Sequence, residues 1–347
     1  MKVLFVYKYL TLGGVETVLR ARLDQLDRWG IEAHAWFFHD LGGRSVFAGC
    51  EERIRVGDPA ECLHVAAAGF DVLDTIDSEE VLDAWTAWDG GRPRLVVECH
   101  TPYVENLDYL RRLAPLRPAA VLVPSAHQRR VALERLGGGV EVRVVPNPLR
   151  EAFAAAPAPF PALPPRPVVA WIGRLDELKN WQGFVELGGE LLRHGSPAEL
   201  WLAGRPVDAA TAGVLRGLAR TAGVLPRLRW LRGLPHDRVP ALLDAVRDSG
   251  GVVVSTSRGE SFGMTIAEAM ARECAVVAPD RPPFTEFVRS GETGVLYRTD
   301  AAGAVASLLA DGPRRAALGR AARPAILERH GPAAALEALA AELRRLA

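Results

Sequence analysis

The chain has 347 residues, of which 49% are hydrophobic and 24% charged, and its 42 basic residues are balanced by 42 acidic ones. This composition predicts a globular protein of about two domains and gives no electrostatic case for a nucleic-acid partner. The four cysteines (Cys50, Cys62, Cys99 and Cys274) have no disulfide or metal-ligand spacing, and no apolar run approaches the ~20 residues of a membrane span, so we expect a cytoplasmic protein.

Short apolar runs alternate with helical patterns through residues 1–148. The first run, KVLFVY (2–7), predicts a strand rather than a signal peptide, since it continues into TLGGVE without a cleavage site. A helical pattern over 15–30 follows, and the later runs are IEAHAWFF, RLVVEC, AAVLVPS and EVRVVPN. Such alternation favours a parallel sheet with crossover helices, which makes residues 1–148 a Rossmann-like domain.

A proline-rich segment, residues 149–167, predicts a linker between two domains. Residues 168–328 then begin a second α/β series, with the apolar runs VVAWIG, AELWLAG, LRWLRG, GGVVVSTS, CAVVAPD and GVLY. Residues 329–347 form a strongly amphipathic helix, which we expect to pack back on the N-terminal domain. The predicted fold class is therefore α/β, with two doubly wound, Rossmann-like domains facing across a cleft.

The loops that follow the strands are the candidate sites, because ligands bind beyond the carboxyl ends of parallel strands. Gly13 and Gly14 allow a tight turn, with the N–H groups of the next helix facing a negative charge. His100 follows RLVVEC, where it can bond a substrate hydroxyl. For Gly13 and Gly14 the alternative is an ordinary tight turn between a strand and a helix. For His100 it is a loop residue without a role in binding. The seven other histidines show no ligand spacing and are interpreted as structural.

Arg174 and Lys179 follow the strand VVAWIG, near the expected start of a helix. A guanidinium and an ammonium at a helix entrance suit a doubly charged phosphate group. The alternative is a solvated loop, which Asp176 and Glu177 would fit equally well.

The segment SRGESFGMTIAEAMA (257–271) places Glu260 and Glu268 around the start of a helix. If the helix begins near Gly263, Glu260 lies in the preceding loop and Glu268 on the second turn. The two carboxylates can then bond two diols separated by a diphosphate, whose oxygens meet the N–H groups of residues 262–265. For Glu268 the alternative is an acidic residue that stabilises the helix N-terminus.

Taken together, these motifs resemble family 4 of the retaining glycosyltransferases, which have the GT-B fold. The matching segments run in family order across almost the whole chain: LGGVE, VPS (123–125), VVPNPL (144–149), IGRLDELKN, WLAG (201–204), GLPHDRVPALLDA (233–245), GESFGMTIAEAMA, VVAPD and GETGVLY (291–297). The chain departs from many relatives at RECAVVAPD (272–280), and residues 35–120 match no motif that we can assign.

The resemblance implies a role for each matching position. Arg174 and Lys179 would hold the diphosphate of a nucleotide sugar and stabilise the leaving group. Glu260 would bond the transferred sugar, Glu268 the ribose, and His100 the sugar near the reaction centre. His100, Arg174, Lys179 and Glu260 are thus the implied catalytic residues. The implied substrate-binding residues are Gly13, Gly14, Asn147, Gly173, Ser261, Phe262, Gly263, Met264, Thr265 and Glu268.

The resemblance also implies transfer with retention of configuration and without a metal or other cofactor. No DxD motif contradicts this, since DTID (74–77) lacks the spacing and lies away from the other motifs. The donor would be a nucleotide-diphosphate sugar. The near-neutral N-terminal domain favours a small soluble acceptor, such as a natural-product or sugar precursor, over a membrane lipid, and the sequence does not indicate an oligomeric state. The alternatives are a nucleotide-sugar-binding protein without transfer activity and another GT-B enzyme, such as a nucleotide-sugar epimerase.

Overall fold

A computed structural model describes residues 1–157 and 164–347 of the chain. The described residues form two compact units, which we call unit 1 (Met1–Glu151 with Arg329–Ala347) and unit 2 (Ala152–Glu328). Residues 158–163 of the predicted linker 149–167 lie outside the described residues. A short helix, Glu151–Ala154, occupies part of the linker segment that is described.

Unit 1 is built on a sheet in which every described strand pairing is parallel. Its strands are β1 Lys2–Leu10, β2 Glu32–Asp40, β3 Ile54–Val56, β4 Val72–Ile76, β5 Arg94–Glu98, β6 Val121–Val123 and β7 Val142–Val144. Their order across the sheet is β3-β2-β1-β4-β5-β6-β7. The register pairs Val3 of β1 with Val72 of β4 and with Ala33 of β2. Both faces of such a sheet are covered by other elements, which is why residues 3–6 of the central strand β1 are all apolar and buried.

Four helices lie between the strands of unit 1, and two of them start at a side-chain cap. They are α1 Gly14–Gln25, α2 Pro59–Gly69, α3 Glu79–Ala87 and α4 Ala126–Arg135, with 3₁₀ segments at Leu26–Trp29, Arg44–Phe47, Glu51–Arg53, Val104–Arg112 and Ala114–Leu116. Asp58 caps α2 by accepting from Glu61 N at 2.9 Å, and Ser125 caps α4 by accepting from Gln128 N at 3.0 Å.

Unit 2 repeats this architecture on a second parallel sheet. After α5 (Glu151–Ala154) come β8 Val168–Ile172, α6 Trp181–Arg193, β9 Glu199–Ala203, α7 Ala209–Thr221, β10 Leu228–Leu231, α8 Val239–Asp248, β11 Val252–Val254, α9 Met264–Ala271, β12 Val276–Pro279, β13 Val295–Tyr297, α10 Ala301–Ala310 and α11 Gly312–His330, with 3₁₀ segments at His236–Arg238 and Phe284–Glu286. The strand order is β10-β9-β8-β11-β12-β13.

The last helix, α12 (Pro332–Leu346), belongs to unit 1 although it is the end of the chain. Leu336, Leu339, Leu343 and Leu346 are buried in one apolar cluster with residues of β1, α1 and β2. The leucines recur at three- and four-residue intervals, so one helical stripe packs against β1 and β2 from the start of the chain.

The predicted fold class, α/β with two doubly wound Rossmann-like domains, is confirmed by these two sheets. In unit 1 the strand order reverses between β1 and β4, and in unit 2 it reverses between β8 and β11. At such switch points the loops after the two neighbouring strands diverge, which leaves room for a ligand at the carboxyl edge of the sheet.

Two strands of unit 1 were not predicted from the sequence. β3 has only three residues, and β4 carries Asp74 in its centre. Asp74 is fully buried and interrupts the apolar run that would have marked the segment as a strand. The helical prediction over 15–30 is also corrected, since α1 ends at Gln25 and a 3₁₀ turn follows it.

Candidate functional site

The loops after β8 and β11 meet at the switch point of unit 2. Arg258 N donates to Leu178 O at 2.8 Å, and the Asn180 side-chain amide donates to Thr256 O at 3.0 Å. Asn180 also caps α6, with a left-handed backbone (φ 50°) and its side-chain oxygen accepting from Gly183 N. The two loops are therefore held together before any ligand binds.

The first loop carries Gly173, Arg174 and Lys179, and Asp176 organises it. Asp176 Oδ1 accepts from Lys179 N at 2.9 Å, and Asp176 Oδ2 lies 3.2 Å from Arg174 Nε. The Arg174 side chain is 56% exposed, so its guanidinium remains accessible to a ligand. The alternative of a solvated loop counted Asp176 among its surface charges, but an Asp three residues before the backbone N–H that it binds is the pattern of a side-chain-capped turn.

Lys179 and Glu260 are paired with each other. Lys179 Nζ lies 2.6 Å from Glu260 Oε1 and 2.7 Å from Oε2, and Ser257 Oγ donates to Oε1 at 2.9 Å. An ammonium has three donors, so two bonds to Glu260 leave one for a further acceptor. The pair can thus bind an anion through Lys179 and sugar hydroxyls through Glu260. Ser257 is a site residue that sequence reasoning missed.

α9 begins directly after this loop and is shaped by Gly263. Gly263 has a φ of 98°, and a Cβ there would lie 2.7 Å from the Phe284 ring, so glycine is required for both conformation and space. Met264 and Thr265 form the first turn, where backbone N–H groups have no partner within the helix and favour an anion. Phe262 is buried against the Phe287 ring, 5.1 Å away between centroids, and Ser261 is partly buried beside it.

A small pocket opens between the two loops and the start of α9. It is lined by Trp171, Ile172, Val254, Ser255, Ser257, Glu260, Gly263, Thr265, Ile266 and Phe284. Three of the sequence-predicted residues, Glu260, Gly263 and Thr265, thus share one small concave surface.

Glu268 lies on the second turn of α9 and is 5% exposed. It is therefore beyond the first turn, where an acidic side chain would mainly stabilise the helix N-terminus. His236 Nε2 lies 3.1 Å from Glu268 Oε1, and the His236 ring is 5.3 Å from that of Phe153. His236 was interpreted as structural, and its ring contacts a candidate site carboxylate; the two residues are 32 positions apart, so no local sequence pattern indicates this contact.

The glycine loop of unit 1 differs from its prediction in one respect. Gly13 is extended (φ −124°), so its conformation does not require glycine, but a Cβ would lie 2.7 Å from Glu16 Oε2. Glu16 folds back over the start of α1 and accepts from Thr11 N at 2.6 Å. Gly14 is the exposed first residue of α1. The chain thus places its own carboxylate at this helix start.

His100 and Asn147 are both buried residues of unit 1, 7% and 3% exposed. His100 N lies 3.1 Å from both carboxylate oxygens of Asp77. The statement that DTID (74–77) lies away from the other motifs is therefore wrong, since β4 and β5 are neighbours in the sheet and bring Asp77 to His100. The Asn147 carbonyl bonds His330 Nδ1 at 3.1 Å, while Asn147 Oδ1 is buried without a hydrogen-bond partner in the described part of the chain.

Residues 1–157 and 164–347 contain no cluster of three or more His, Cys, Asp or Glu side chains that could hold a metal ion. None of their helices is long and apolar enough to cross a bilayer.

The site in unit 2 has the parts needed to bind a sugar nucleotide. Lys179, Arg174 and the start of α9 supply positive charge and N–H donors for phosphates. Glu260 and Glu268 supply two carboxylate acceptors for hydroxyls, one before the helix and one on its second turn. The individual roles predicted for these residues remain predictions.

Comparison with known proteins agrees with the motif analysis. Residues 157–325 match the family model described as "Glycosyl transferases group 1". The chain is 33% identical over 174 residues to the D-inositol 3-phosphate glycosyltransferase of Nocardia farcinica, a match of 48% of this chain and 38% of the relative. It is 29% identical over 285 residues to the phosphatidyl-myo-inositol mannosyltransferase of Mycobacterium tuberculosis, covering 78% of this chain and 72% of the relative. The first match thus spans well under half of the relative's length.

A solved structure of similar fold is that of Anabaena Alr3699/HepE in complex with UDP-glucose. It superposes with a TM-score of 0.85 at 19% identity, over 99% of this chain and 100% of that one. At this identity the likeness shows the fold, which is the GT-B fold expected from the motifs.

Proposed function

We propose, because residues 157–325 match the family model described as "Glycosyl transferases group 1", that the protein is a glycosyltransferase that moves a sugar from a nucleotide-diphosphate sugar to an acceptor hydroxyl. The observation that carries the proposal is the convergence of two cations, a helix start and two carboxylates at the switch point between β8 and β11. An isolated turn or helix cap would not need all of these groups on one edge of the sheet.

The proposed placement of the donor follows from charge. The diphosphate lies against Arg174, the third donor of Lys179 and the N–H groups of Met264 and Thr265. The transferred sugar bonds Glu260, and the ribose diol bonds Glu268. The HepE structure holds UDP-glucose, which supports a donor of this class and makes UDP sugars the first to try.

The proposed reaction retains the configuration at the anomeric carbon. The bond between that carbon and the diphosphate oxygen breaks, and its electron pair leaves with the phosphate. The acceptor oxygen attacks from the same face, and its proton passes to the departing phosphate oxygen. Positive charge from Arg174 and Lys179 stabilises the charge that develops on the leaving group, the largest contribution expected at such a centre.

We further propose that no metal ion is required. Two side-chain cations and the start of α9 already surround the place where the diphosphate would lie, so the charge that a divalent ion would neutralise has partners in the chain itself.

The proposed acceptor is a small soluble polyhydroxylated molecule, such as a natural-product or sugar precursor. The relative named D-inositol 3-phosphate glycosyltransferase supports this class, whereas the relative named phosphatidyl-myo-inositol mannosyltransferase represents the competing lipid class. The cytoplasm is the proposed compartment, since all four cysteines are buried free thiols.

The proposal is tested by measuring release of nucleoside diphosphate from a panel of nucleotide sugars. Each is incubated with soluble polyols and their phosphates, or with phosphatidylinositol vesicles, with magnesium or with EDTA. We expect release that depends on a soluble acceptor and not on metal, and a product whose anomeric proton coupling matches that of the donor. Transfer only to vesicles would overturn the acceptor class, and nucleotide binding without transfer to any acceptor would favour a binding protein.

A further inference from the structure

A buried chain of polar side chains lies behind His100 in unit 1. The Arg22 guanidinium donates to both oxygens of Glu98, at 2.6 Å and 2.9 Å. Glu98 Oε2 in turn lies 2.5 Å from His100 Nε2. Arg22 and Glu98 are each 1% exposed, so the contacts are shielded from competing water.

The topology of the sheet creates this arrangement. Glu98 is the last residue of β5, and His100 follows two positions later, so both side chains project to the same side of the sheet. Arg22 comes from the third turn of α1, with its guanidinium 4.9 Å from the centre of the Phe5 ring. Residues from α1, β1 and β5 thus build one cluster, which the sequence pattern did not reveal.

The electrostatics fix the protonation state of Glu98. Burial alone would raise its pKa, but the charge of Arg22 and the hydrogen bonds from His100 and Arg22 lower the pKa below its usual range. Asp74, also buried beside this pair, has a pKa raised well above its usual range by burial and by the Glu98 charge.

An ionised carboxylate is an acceptor only, so the hydrogen of this contact belongs to His100 Nε2. The other ring nitrogen, Nδ1, makes no hydrogen bond to any residue that the structure describes. The neutral ring therefore has its proton on Nε2 and its lone pair on Nδ1.

The main chain of His100 is held separately. Asp77, with a left-handed backbone (φ 44°), accepts from His100 N with both oxygens and from the Tyr109 hydroxyl at 3.0 Å. One carboxylate thus fixes the backbone of His100 while another fixes its ring. A histidine that only filled space would not need both.

We propose that Glu98, held by Arg22, is a positioning residue that fixes His100 in the Nε2–H tautomer and so presents Nδ1 as an acceptor for a ligand hydroxyl. The ligand part of this inference rests on the proposed function, in which a substrate of the transfer carries the hydroxyl; the tautomer part does not.

The tautomer is read directly from nitrogen NMR of the free protein. Protein labelled with ¹⁵N-histidine is recorded at pH 7.5, and the His100 signals are identified by their loss in His100→Gln. We expect the Nε2–H pattern for His100 in the wild type and a shift towards mixed tautomers in Glu98→Gln. A wild-type His100 in the Nδ1–H form would overturn the proposal without any variant of the pair being needed, as would an unchanged spectrum in a folded Glu98→Gln protein.

The matched control is Glu32→Gln. Glu32 stands two residues before His34 and lies 3.0 Å from His34 Nε2, the same spacing as Glu98 and His100, but its side chain is 45% exposed. This change should leave the His100 signals in place.

The activity measurement separates this inference from the proposed function. We expect Glu98→Gln to lower kcat by about 10²-fold, the cost of a misoriented reacting group, and to change the pH profile of kcat, with nucleoside diphosphate affinity unchanged. The charged groups that face His100 are Glu98 and Asp77, with Lys8 near Asp77 and Arg22 behind Glu98. A parallel loss of nucleotide affinity would indicate a merely structural role. If the wild type transfers no sugar, the proposed function fails while the tautomer measurement still decides this inference.

Discussion

Lys179 Nζ bonds both carboxylate oxygens of Glu260, at 2.6 Å and 2.7 Å, across 81 residues of sequence. The contact joins the loop after β8 to the loop after β11, so the charges proposed for the diphosphate and for the transferred sugar hold each other in place. The side chains are only 22% and 11% exposed, and removing either partner would leave the other charge poorly solvated. In the proposed reaction, the nucleotide-sugar donor therefore binds to a Lys179 ammonium and a Glu260 carboxylate that are already in position.

Replacement of Lys179 by alanine should lower kcat/KM by about 10²-fold or more, because a donor to the departing phosphate is lost. Arg174→Ala should act in the same direction, with the fold intact by circular dichroism. Lys2→Ala is the control, since Lys2 pairs with Glu32 at 3.1 Å on the exposed surface of unit 1. Wild-type rates in both Lys179→Ala and Arg174→Ala would remove the diphosphate assignment.

Glu268→Ala should weaken binding of a free nucleoside diphosphate by roughly 10-fold to 100-fold, the range expected when a hydrogen bond to a charged group is lost. The sugar is absent from this ligand, so the effect would report on the ribose end alone. Titration calorimetry measures it, with Glu337→Ala on the exposed side of α12 as a control. Equal affinities for Glu268→Ala and the wild type would mean that the glutamate only stabilises α9.

Gly263→Ala should reduce both the stability of unit 2 and its affinity for nucleotide. A left-handed backbone costs an ordinary residue about 1–2 kcal/mol, and the added methyl would press on Phe284. Gly213→Ala is the control, because this glycine lies within α7 with no atom near its would-be Cβ, and alanine is the better helix former there. Chemical denaturation should separate the two variants, and a Gly263→Ala protein as stable as the wild type would show that the loop can relax.

His330 should make the stability of the protein fall in acid. Burial lowers its pKa from 6.5 to about 4, although the hydrogen bond to the Asn147 carbonyl opposes this. Between these values the unfolded chain binds a proton that the folded chain does not, so the free energy of unfolding is lost as pH falls from 6.5 towards 4. The loss is about 3 kcal/mol at most, at 1.36 kcal/mol per pH unit. Denaturant titrations at several pH values give the free energy of unfolding as a function of pH. This free energy should fall less steeply towards acid pH in His330→Gln than in the wild type. An identical pH dependence in the two proteins would assign the acid sensitivity to other groups.

Local patterns predicted the parts of the fold and site that depend on neighbours in sequence. The apolar runs of β1 and β8 and the loop–helix passage from Glu260 to Glu268 are of this kind. Features that depend on the folded structure could not be predicted in this way. Asp74 interrupts the apolar run that would have identified β4 as a strand. The pairs Glu268–His236 and His100–Asp77 join residues that are not neighbours in sequence. Gly13 shows a third case, in which the backbone is extended and a side chain, Glu16, lies close to it.

Calorimetric titration of the protein with UDP, GDP, TDP and ADP, each with magnesium and with EDTA, tests the central claim most directly. The proposed site predicts that at least one of these nucleotides binds the wild type equally well with and without metal and binds Lys179→Ala more weakly. Absence of binding by all four would contradict a sugar-nucleotide site between β8 and β11.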